Sequence, residues 1–169
     1  MVHRDSTSVW LQLAVTLFIT LIALTACGDD KQEPPTEVTL LEKLNEVEGL
    51  TASKKTSPFS GYEYYELQVE QPVDHDAPSG ESFSQKVRFF VKDLTAPVVL
   101  HTAGYYLSSD EHSRLLEPTQ LFGANQLDVE HRYFGESAPD EMDWDYLNIR
   151  QASEDLHRIT TLIKPLFNG

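Results

Sequence analysis

Two segments in the first half of the chain alternate between apolar and polar residues, as half-buried β-strands do. They are residues 65–70 (YELQVE) and residues 86–92 (KVRFFVK). The stretch between them, residues 71–80, contains two prolines and a glycine, which are typical of turns. The pattern therefore predicts an antiparallel β-hairpin with a long connection.

A short helix is predicted ahead of this hairpin. Apolar residues recur at helical spacing within residues 40–47 (LLEKLNEV). Thr39 belongs to the residue types that cap helix N-termini, and Gly49 stands where a C-terminal glycine is expected. The stretch that follows, residues 51–60, is rich in serine, threonine and lysine and is predicted to be a loop.

The second half of the chain changes to a pattern of strands and helices in alternation. Residues 97–100 (PVVL) and residues 126–131 (QLDVEH) predict two short strands. A continuously apolar run such as the first indicates burial on both faces, as in a parallel sheet. Helices are predicted over about 110–117, closed by Pro118, and over 146–167, where leucine and isoleucine recur.

The order of these elements predicts an α/β fold. An antiparallel hairpin followed by strand, helix, strand and helix is how the sheet of an α/β-hydrolase begins. In that architecture the next element is the strand that delivers the nucleophile. We therefore expect residues 39–169 to form the N-terminal half of an α/β-hydrolase domain, with the C-terminal half missing.

The N-terminal segment is predicted to direct export. Residues 9–26 are apolar apart from a glutamine and threonines, and such a run near the start of a chain is typical of a secretory signal. A run of this length could also just span a bilayer as a retained anchor. The sequence LTAC at 24–27 favours the signal, because it resembles the lipobox of bacterial lipoproteins, whose cysteine is acylated.

This motif sets the expected division of the chain. Residues 1–26 are predicted to be a lipoprotein signal peptide, and Cys27, the only cysteine, the site of lipid attachment. Because there is one cysteine, no internal disulfide can form. Residues 27–38 contain several charged residues and a Pro-Pro pair, which is typical of a solvated tether.

The charge of the chain excludes some partners. With 27 acidic and 13 basic residues, the formal net charge is −14. Such a surface argues against binding to nucleic acid and against electrostatic docking on anionic lipid. The expected link to the membrane is therefore the lipid on Cys27, and the expected location is a bacterial membrane, facing the periplasm or the cell surface.

Gly135-Glu136-Ser137 has the first three residues of a nucleophile elbow, G-x-S-x-G, in which a strained strand-to-helix turn exposes the serine hydroxyl. The fifth residue should be glycine, because helix and strand pack closely there. This chain has Pro139. On steric grounds, we expect Ser137 to be structural and not a nucleophile.

Four longer segments carry a resemblance to a known family. They are EQPVDHDAP at 70–78, PVVLHTAGYY at 97–106, EPTQLFGANQLDVEHRYFGESAP at 117–139 and DWDYLNIRQASEDLHRI at 143–159. In order and spacing they resemble the secreted bacterial tripeptidyl aminopeptidases, serine peptidases of the α/β-hydrolase fold. More distantly they resemble prolylcarboxypeptidase and dipeptidyl peptidase II. The resemblance covers about residues 40–169.

The resemblance implies that no catalytic triad residue lies in this chain. It places Glu130–Pro139 at the end of a central strand and in the loop after it, so that Ser137 is a loop serine. The catalytic serine is expected on an elbow after Gly169, with its aspartate and histidine further on. Because the triad order in this fold is serine, acid, histidine, the histidines before that point are not the triad histidine; they are His75, His101, His112, His131 and His157.

The resemblance also suggests where the rest of the site lies. Gly104 and Tyr105 match the loop that supplies one backbone N–H to the oxyanion hole, with the N–H of Tyr105 or Tyr106 as the donor. A plain strand-to-loop turn is the alternative.

An aminopeptidase needs a carboxylate to hold the α-ammonium group of its substrate. Glu130 and Glu136 are candidates, because they follow a parallel strand at the edge where ligands bind. A buried Glu130 paired with Arg132 is the structural alternative, and spacing does not choose between them.

No metal or cofactor is expected. Residues 74–76 (DHD) could contribute metal ligands, but no partner cluster appears at ligand spacing, which favours a solvated turn.

The expected function follows from these features. The complete enzyme is expected to be an exported, lipid-anchored serine peptidase that releases short N-terminal peptides from substrates with a free N-terminus by acyl-enzyme hydrolysis. The 169-residue chain alone is expected to be inactive. The alternatives are a non-catalytic, truncated surface lipoprotein or binding module, and an esterase on the same scaffold.

Overall fold

The computed structural model describes residues 38–110 and 113–167. The predicted signal peptide, Cys27 and nearly all of the predicted tether lie outside these residues. The described helices and strands, in chain order, are α1 (Leu40–Asn45), β1 (Leu50–Lys55), β2 (Glu63–Pro72), β3 (Ser82–Val91), β4 (Val98–Thr102), α2 (Glu117–Phe122), β5 (Asn125–Val129) and α3 (Ile149–Ile163), with 3₁₀ turns at Trp144–Tyr146 and Lys164–Leu166.

The described strands form one mixed sheet in the order β1-β2-β3-β5-β4. The pairs β1–β2, β2–β3 and β3–β5 are antiparallel, whereas β4 and β5 are parallel. β5 therefore lies inside the described sheet and β4 at its edge. Val98 and Leu100 of β4 are each 37% exposed, so the burial on both faces predicted for residues 97–100 is wrong. This arrangement is an α/β fold, and the predicted hairpin of β2 and β3 is confirmed.

The predicted N-terminal helix is confirmed as α1. The Thr39 hydroxyl accepts a hydrogen bond from Glu42 N, and the Glu42 carboxylate accepts one from Thr39 N at 2.7 Å, a reciprocal capping box. The helix packs Leu44 into the core against the sheet.

The predicted loop over residues 51–60 is wrong in its first half, because residues up to Lys55 belong to β1. Leu50 and Ala52 point into the core, while the outward positions carry polar side chains. Lys54 pairs with Glu63 of β2 at 2.5 Å. An edge strand with only two inward residues has too little apolar periodicity to be distinguished from a polar loop.

The helix predicted over about 110–117 is also wrong in position. Residues 113–116 are irregular, and α2 begins at Glu117 with Pro118 in its first turn. Proline is tolerated there because the first N–H groups of a helix have no intrahelical partner. The helix ends at Gly123, whose φ is 59° and therefore in the left-handed region that favours glycine.

The predicted C-terminal helix exists as α3 and is shorter than expected. Its N-cap is Asn148, whose side chain accepts from Gln151 N at 3.0 Å. Ile159 and Ile163 are buried and join a core cluster that includes Phe89 and Leu127 of the sheet. In the described part of the chain no helix is both long and apolar enough to cross a membrane.

Candidate functional site

Two loops meet where the parallel strands β4 and β5 end. The first, residues 103–107, follows β4, and the second, residues 130–137, follows β5. The carboxyl ends of parallel strands form the edge of an α/β sheet where ligands bind. Both groups of candidate residues from the sequence lie in these loops.

Hydrogen bonds fix the first loop at both ends and at the carbonyl of Tyr105. Ala103 N donates to Val129 O at 2.9 Å, and Leu107 N donates to Glu130 Oε1 at 2.8 Å. Between these anchors, His131 N donates to Tyr105 O at 3.1 Å. The loop is therefore held against the end of β5 from the carbonyl side of Tyr105.

The backbone N–H groups of Gly104, Tyr105 and Tyr106 have no acceptor among the residues that the structure describes. The side chains beside them are open to solvent: Tyr105 is 66% and Tyr106 67% exposed. Free, adjacent N–H donors on an anchored loop are what an oxyanion hole requires.

The Glu130 carboxylate lies under this loop. It is 2% exposed, and its Oε1 accepts from Leu107 N. Oε2 accepts from Glu136 N at 2.9 Å and from the Ser137 hydroxyl at 2.8 Å. A carboxylate so enclosed binds the two loops to each other and presents no open face to a substrate ammonium group.

The Ser137 hydroxyl both donates and accepts a hydrogen bond within the protein. Ser137 is 0% exposed, donates to Glu130 Oε2 and accepts from Lys86 N of β3 at 2.9 Å. The hydroxyl links the second loop to β3 and has no path to a substrate. Its geometry is that of a structural serine.

Glu136, the other candidate carboxylate, is exposed. Its side chain is 64% accessible and lies 2.5 Å from Lys86 Nζ. An ion pair at such a surface is weak. Glu136 can therefore exchange its lysine partner for a substrate cation, which Glu130 cannot do without opening the loop.

Comparison with known proteins identifies the family. The model of the PS-10 peptidase S37 family matches residues 33–169. The chain belongs to this family. It is also similar to the prolyl tri/tetrapeptidyl aminopeptidase of Streptomyces mobaraensis, with 37% identity over 110 residues. The aligned part is 65% of this chain and 23% of that relative, so this chain spans about a quarter of the relative's length. The resemblance predicted from the sequence is confirmed.

Within this S37 peptidase chain, Arg132 does not pair with Glu130, so the pairing considered from the sequence is wrong. Arg132 is 0% exposed and forms two hydrogen bonds with Asp155 of α3, at 2.7 and 2.9 Å. Its remaining donors reach the carbonyls of Pro72, Val73 and Tyr146. Strand alternation would put residues 130 and 132 on the same side. Because β5 ends at Val129, both residues lie in the loop, which turns Arg132 towards α3 and leaves Glu130 under the first loop.

Residues 74–76, considered as metal ligands, are bound to α3 instead. His75 Nε2 lies 2.8 Å from Asp155 Oδ1, and Asp74 accepts from Gln151 at 2.8 Å. Asp76 pairs with Arg150. Across the part of this S37 chain that the structure describes, no group of three or more His, Cys, Asp or Glu side chains is placed to hold a metal ion.

A row of charged residues that sequence analysis did not identify crosses the sheet beside the first loop. Arg88, Asp128 and His101 are register neighbours on β3, β5 and β4, and His101 Nδ1 lies 3.0 Å from Asp128 Oδ1. Burial raises the pKa of Asp128, although hydrogen bonds from Gln126 and His101 oppose the shift. The three line a cavity of about 340 Å³ together with Tyr106. Only strand register brings them together, which no local motif could reveal.

Proposed function

We propose that this chain is the N-terminal part of an exported, lipid-anchored serine peptidase of the tripeptidyl-aminopeptidase type. One observation carries the proposal: three adjacent backbone N–H groups, those of residues 104–106, lie between two anchored amides at the carboxyl edge of a parallel strand pair and have no acceptor in the described part of the chain. Membership of a peptidase family and similarity to a prolyl tri/tetrapeptidyl aminopeptidase support the substrate class.

In the proposed mechanism a serine outside residues 1–169 attacks the scissile carbonyl carbon while a histidine takes its proton. The carbonyl oxygen becomes an oxyanion, and the N–H of Tyr105 or Tyr106 donates a hydrogen bond to it. The intermediate collapses to an acyl-enzyme and releases the remaining peptide as an amine, which takes the proton. Water then hydrolyses the acyl-enzyme to free the N-terminal peptide.

The proposed specificity for a free N-terminus rests on Glu136. Its carboxylate is exposed on the second loop, which Glu130 joins to the first, and its partner Lys86 also pairs with Glu66 at 3.4 Å. When a substrate ammonium group takes the place of Lys86 at Glu136, the lysine retains Glu66. No buried charge is left unpaired by this exchange.

The proposal is tested with the full-length protein and a chromogenic Ala-Ala-Pro anilide. We expect release of the chromophore when the N-terminus is free and a several-fold loss when it is acetylated, because the ion pair with the exposed Glu136 carboxylate is lost. Ser137→Ala should retain turnover once folded protein is matched in amount. Turnover abolished by Ser137→Ala, with the fold intact, would show that Ser137 is the nucleophile. No turnover of either substrate would favour the binding-module alternative.

A further inference from the structure

We propose that Glu130 is a positioning residue that sets the place of the Tyr106 N–H, one of the two candidate oxyanion donors. The inference rests on the proposed function and goes beyond it. The sequence suggested Glu130 as a ligand for the substrate ammonium group, but its enclosure between two loops gives it another task.

The hydrogen-bond donors around the Glu130 carboxylate are neutral groups. Its three hydrogen bonds come from two backbone N–H groups and one hydroxyl, those of Leu107, Glu136 and Ser137. Each of these donors is neutral, and hydrogen bonds to an ionised acceptor are stronger than those between neutral groups. A glutamine would present an NH₂ group to at least one of the same donors, so it cannot satisfy all three.

The second loop closes over this carboxylate because of a glycine. Gly135 has a φ of +56°, and a Cβ added there would lie 2.3 Å from Glu130 Oε1. Only glycine allows the backbone to pass so near the acid. This contact shields the carboxylate from substrate and leaves it the loop amides and the Ser137 hydroxyl as hydrogen-bond donors.

Glu130 acts on the oxyanion loop through the backbone of residues 105–107. Leu107 N, bound to Oε1, follows Tyr106 directly, and Tyr105 O is held by His131 N at 3.1 Å. The Tyr106 N–H shares its peptide plane with Tyr105 O, which His131 N holds, and the next plane carries Leu107 N, which Glu130 holds. The Tyr105 N–H belongs to the preceding plane, between Ala103 and Tyr105 O. Loss of the bond to Glu130 therefore removes one of the two restraints beside the Tyr106 N–H and lets this donor rotate away from the developing oxyanion.

The experiment compares Glu130→Gln with two controls in the full-length protein. Ser137→Ala removes a donor to Oε2 but leaves Leu107 bound to Oε1, and Glu136→Gln alters the exposed candidate. For Glu130→Gln we expect kcat to fall on the order of 10²-fold with KM within about two-fold, as for misplaced catalytic groups. Ser137→Ala should lower kcat only a few-fold, and Glu136→Gln should change KM.

Amide hydrogen exchange at Leu107 provides a readout that does not depend on activity. We expect faster exchange at Leu107 in Glu130→Gln and unchanged exchange in Glu136→Gln. If Glu130→Gln does not fold, Glu130→Asp, which keeps the charge and is one methylene shorter, takes its place with the same expected result. Unchanged Leu107 exchange, or equal losses in kcat for Glu130→Gln and Ser137→Ala, would overturn the inference. If the wild type lacks peptidase activity, the proposed function fails, and the exchange experiment still decides whether Glu130 fixes the loop.

Discussion

At the scale of single residues, the resemblance of residues 135–137 to a nucleophile elbow arises from structural requirements and not from catalysis. Gly135 is required by its left-handed backbone and by the acid beside it, and Ser137 by two buried hydrogen bonds. Sequence analysis could reject the elbow from Pro139 alone. It could not assign Leu107 as a partner of Glu130, because the two residues are 23 positions apart in the chain.

The requirement for Gly135 can be tested against a matched glycine. Gly135→Ala and Gly61→Ala both place alanine at positive φ, but Gly61 has open space around it. We expect Gly61→Ala to cost about 1–2 kcal/mol of unfolding free energy from the backbone alone. Gly135→Ala should cost about 2–5 kcal/mol, because the added Cβ also clashes with Glu130. Urea denaturation measures both, and equal losses would contradict the close contact.

The raised pKa of Asp128 predicts that the stability of the fold depends on pH. Because folding raises its pKa above the ordinary value of 3.8, the folded protein binds this proton more tightly than the unfolded chain does. The contribution of Asp128 to stability is therefore greatest in acid and falls as pH rises from 3.8 towards the raised folded-state pKa.

The measurement compares wild type with Asp128→Asn, which does not titrate. As pH rises above 4, the unfolding free energy of the wild type should fall relative to that of the variant. A difference that stays constant with pH, or moves the other way, would show that Asp128 is not destabilised by burial.

At the scale of elements, the accuracy of the sequence predictions follows the strength of the apolar pattern. β2 and β3 alternate over many residues and were placed correctly, as was α1 with its capping box. β1 was missed because only Leu50 and Ala52 face the core. α2 was misplaced because Pro118 was interpreted as a helix end, although proline fits equally well in a first turn.

The link between β5 and α3 depends on a buried pair that spacing could not predict. Arg132 and Asp155 are 0% and 1% exposed, and His75 reaches the same carboxylate from the β2–β3 connection. One acid thus joins three parts of the chain. Removal of the acid leaves the guanidinium buried without its counter-charge.

We expect Asp155→Ala to lower the unfolding free energy by about 3–5 kcal/mol, which is the cost of breaking a buried pair from one side. The control is Asp76→Ala, which removes the exposed partner of Arg150. Solvent screens that pair, so the loss should be a small fraction of the first. Thermal or urea unfolding of both variants gives the comparison. Similar losses in the two would mean that the buried pair does not hold α3 to the sheet.

At the scale of the whole molecule, the family could be predicted from the sequence because four long segments carry it in order. The α/β class followed from the change between alternating and continuous apolar strands. The mutual positions of the two loops could not be predicted, because they depend on the parallel register of β4 with β5. That register also places Asp128 beside His101.

The proposed attachment to the membrane concerns the whole molecule and rests on residues 24–27. We expect an alkyne fatty acid fed to cells to label the wild type and not Cys27→Ser. The reason is that the chain has no other cysteine to accept the lipid. Equal labelling of the two proteins would exclude Cys27 as the site of attachment.

The most direct test of the account is a crystal structure of the full-length protein with an Ala-Ala-boroPro inhibitor. Boron bonded to the catalytic serine is tetrahedral, and one boronate oxygen takes the place of the oxyanion. We predict this oxygen at about 2.7–3.1 Å from the backbone N of Tyr105 or Tyr106, with Glu130 still bound to Leu107. An oxygen held by donors elsewhere, with the amides of residues 104–106 uncontacted, would contradict the account.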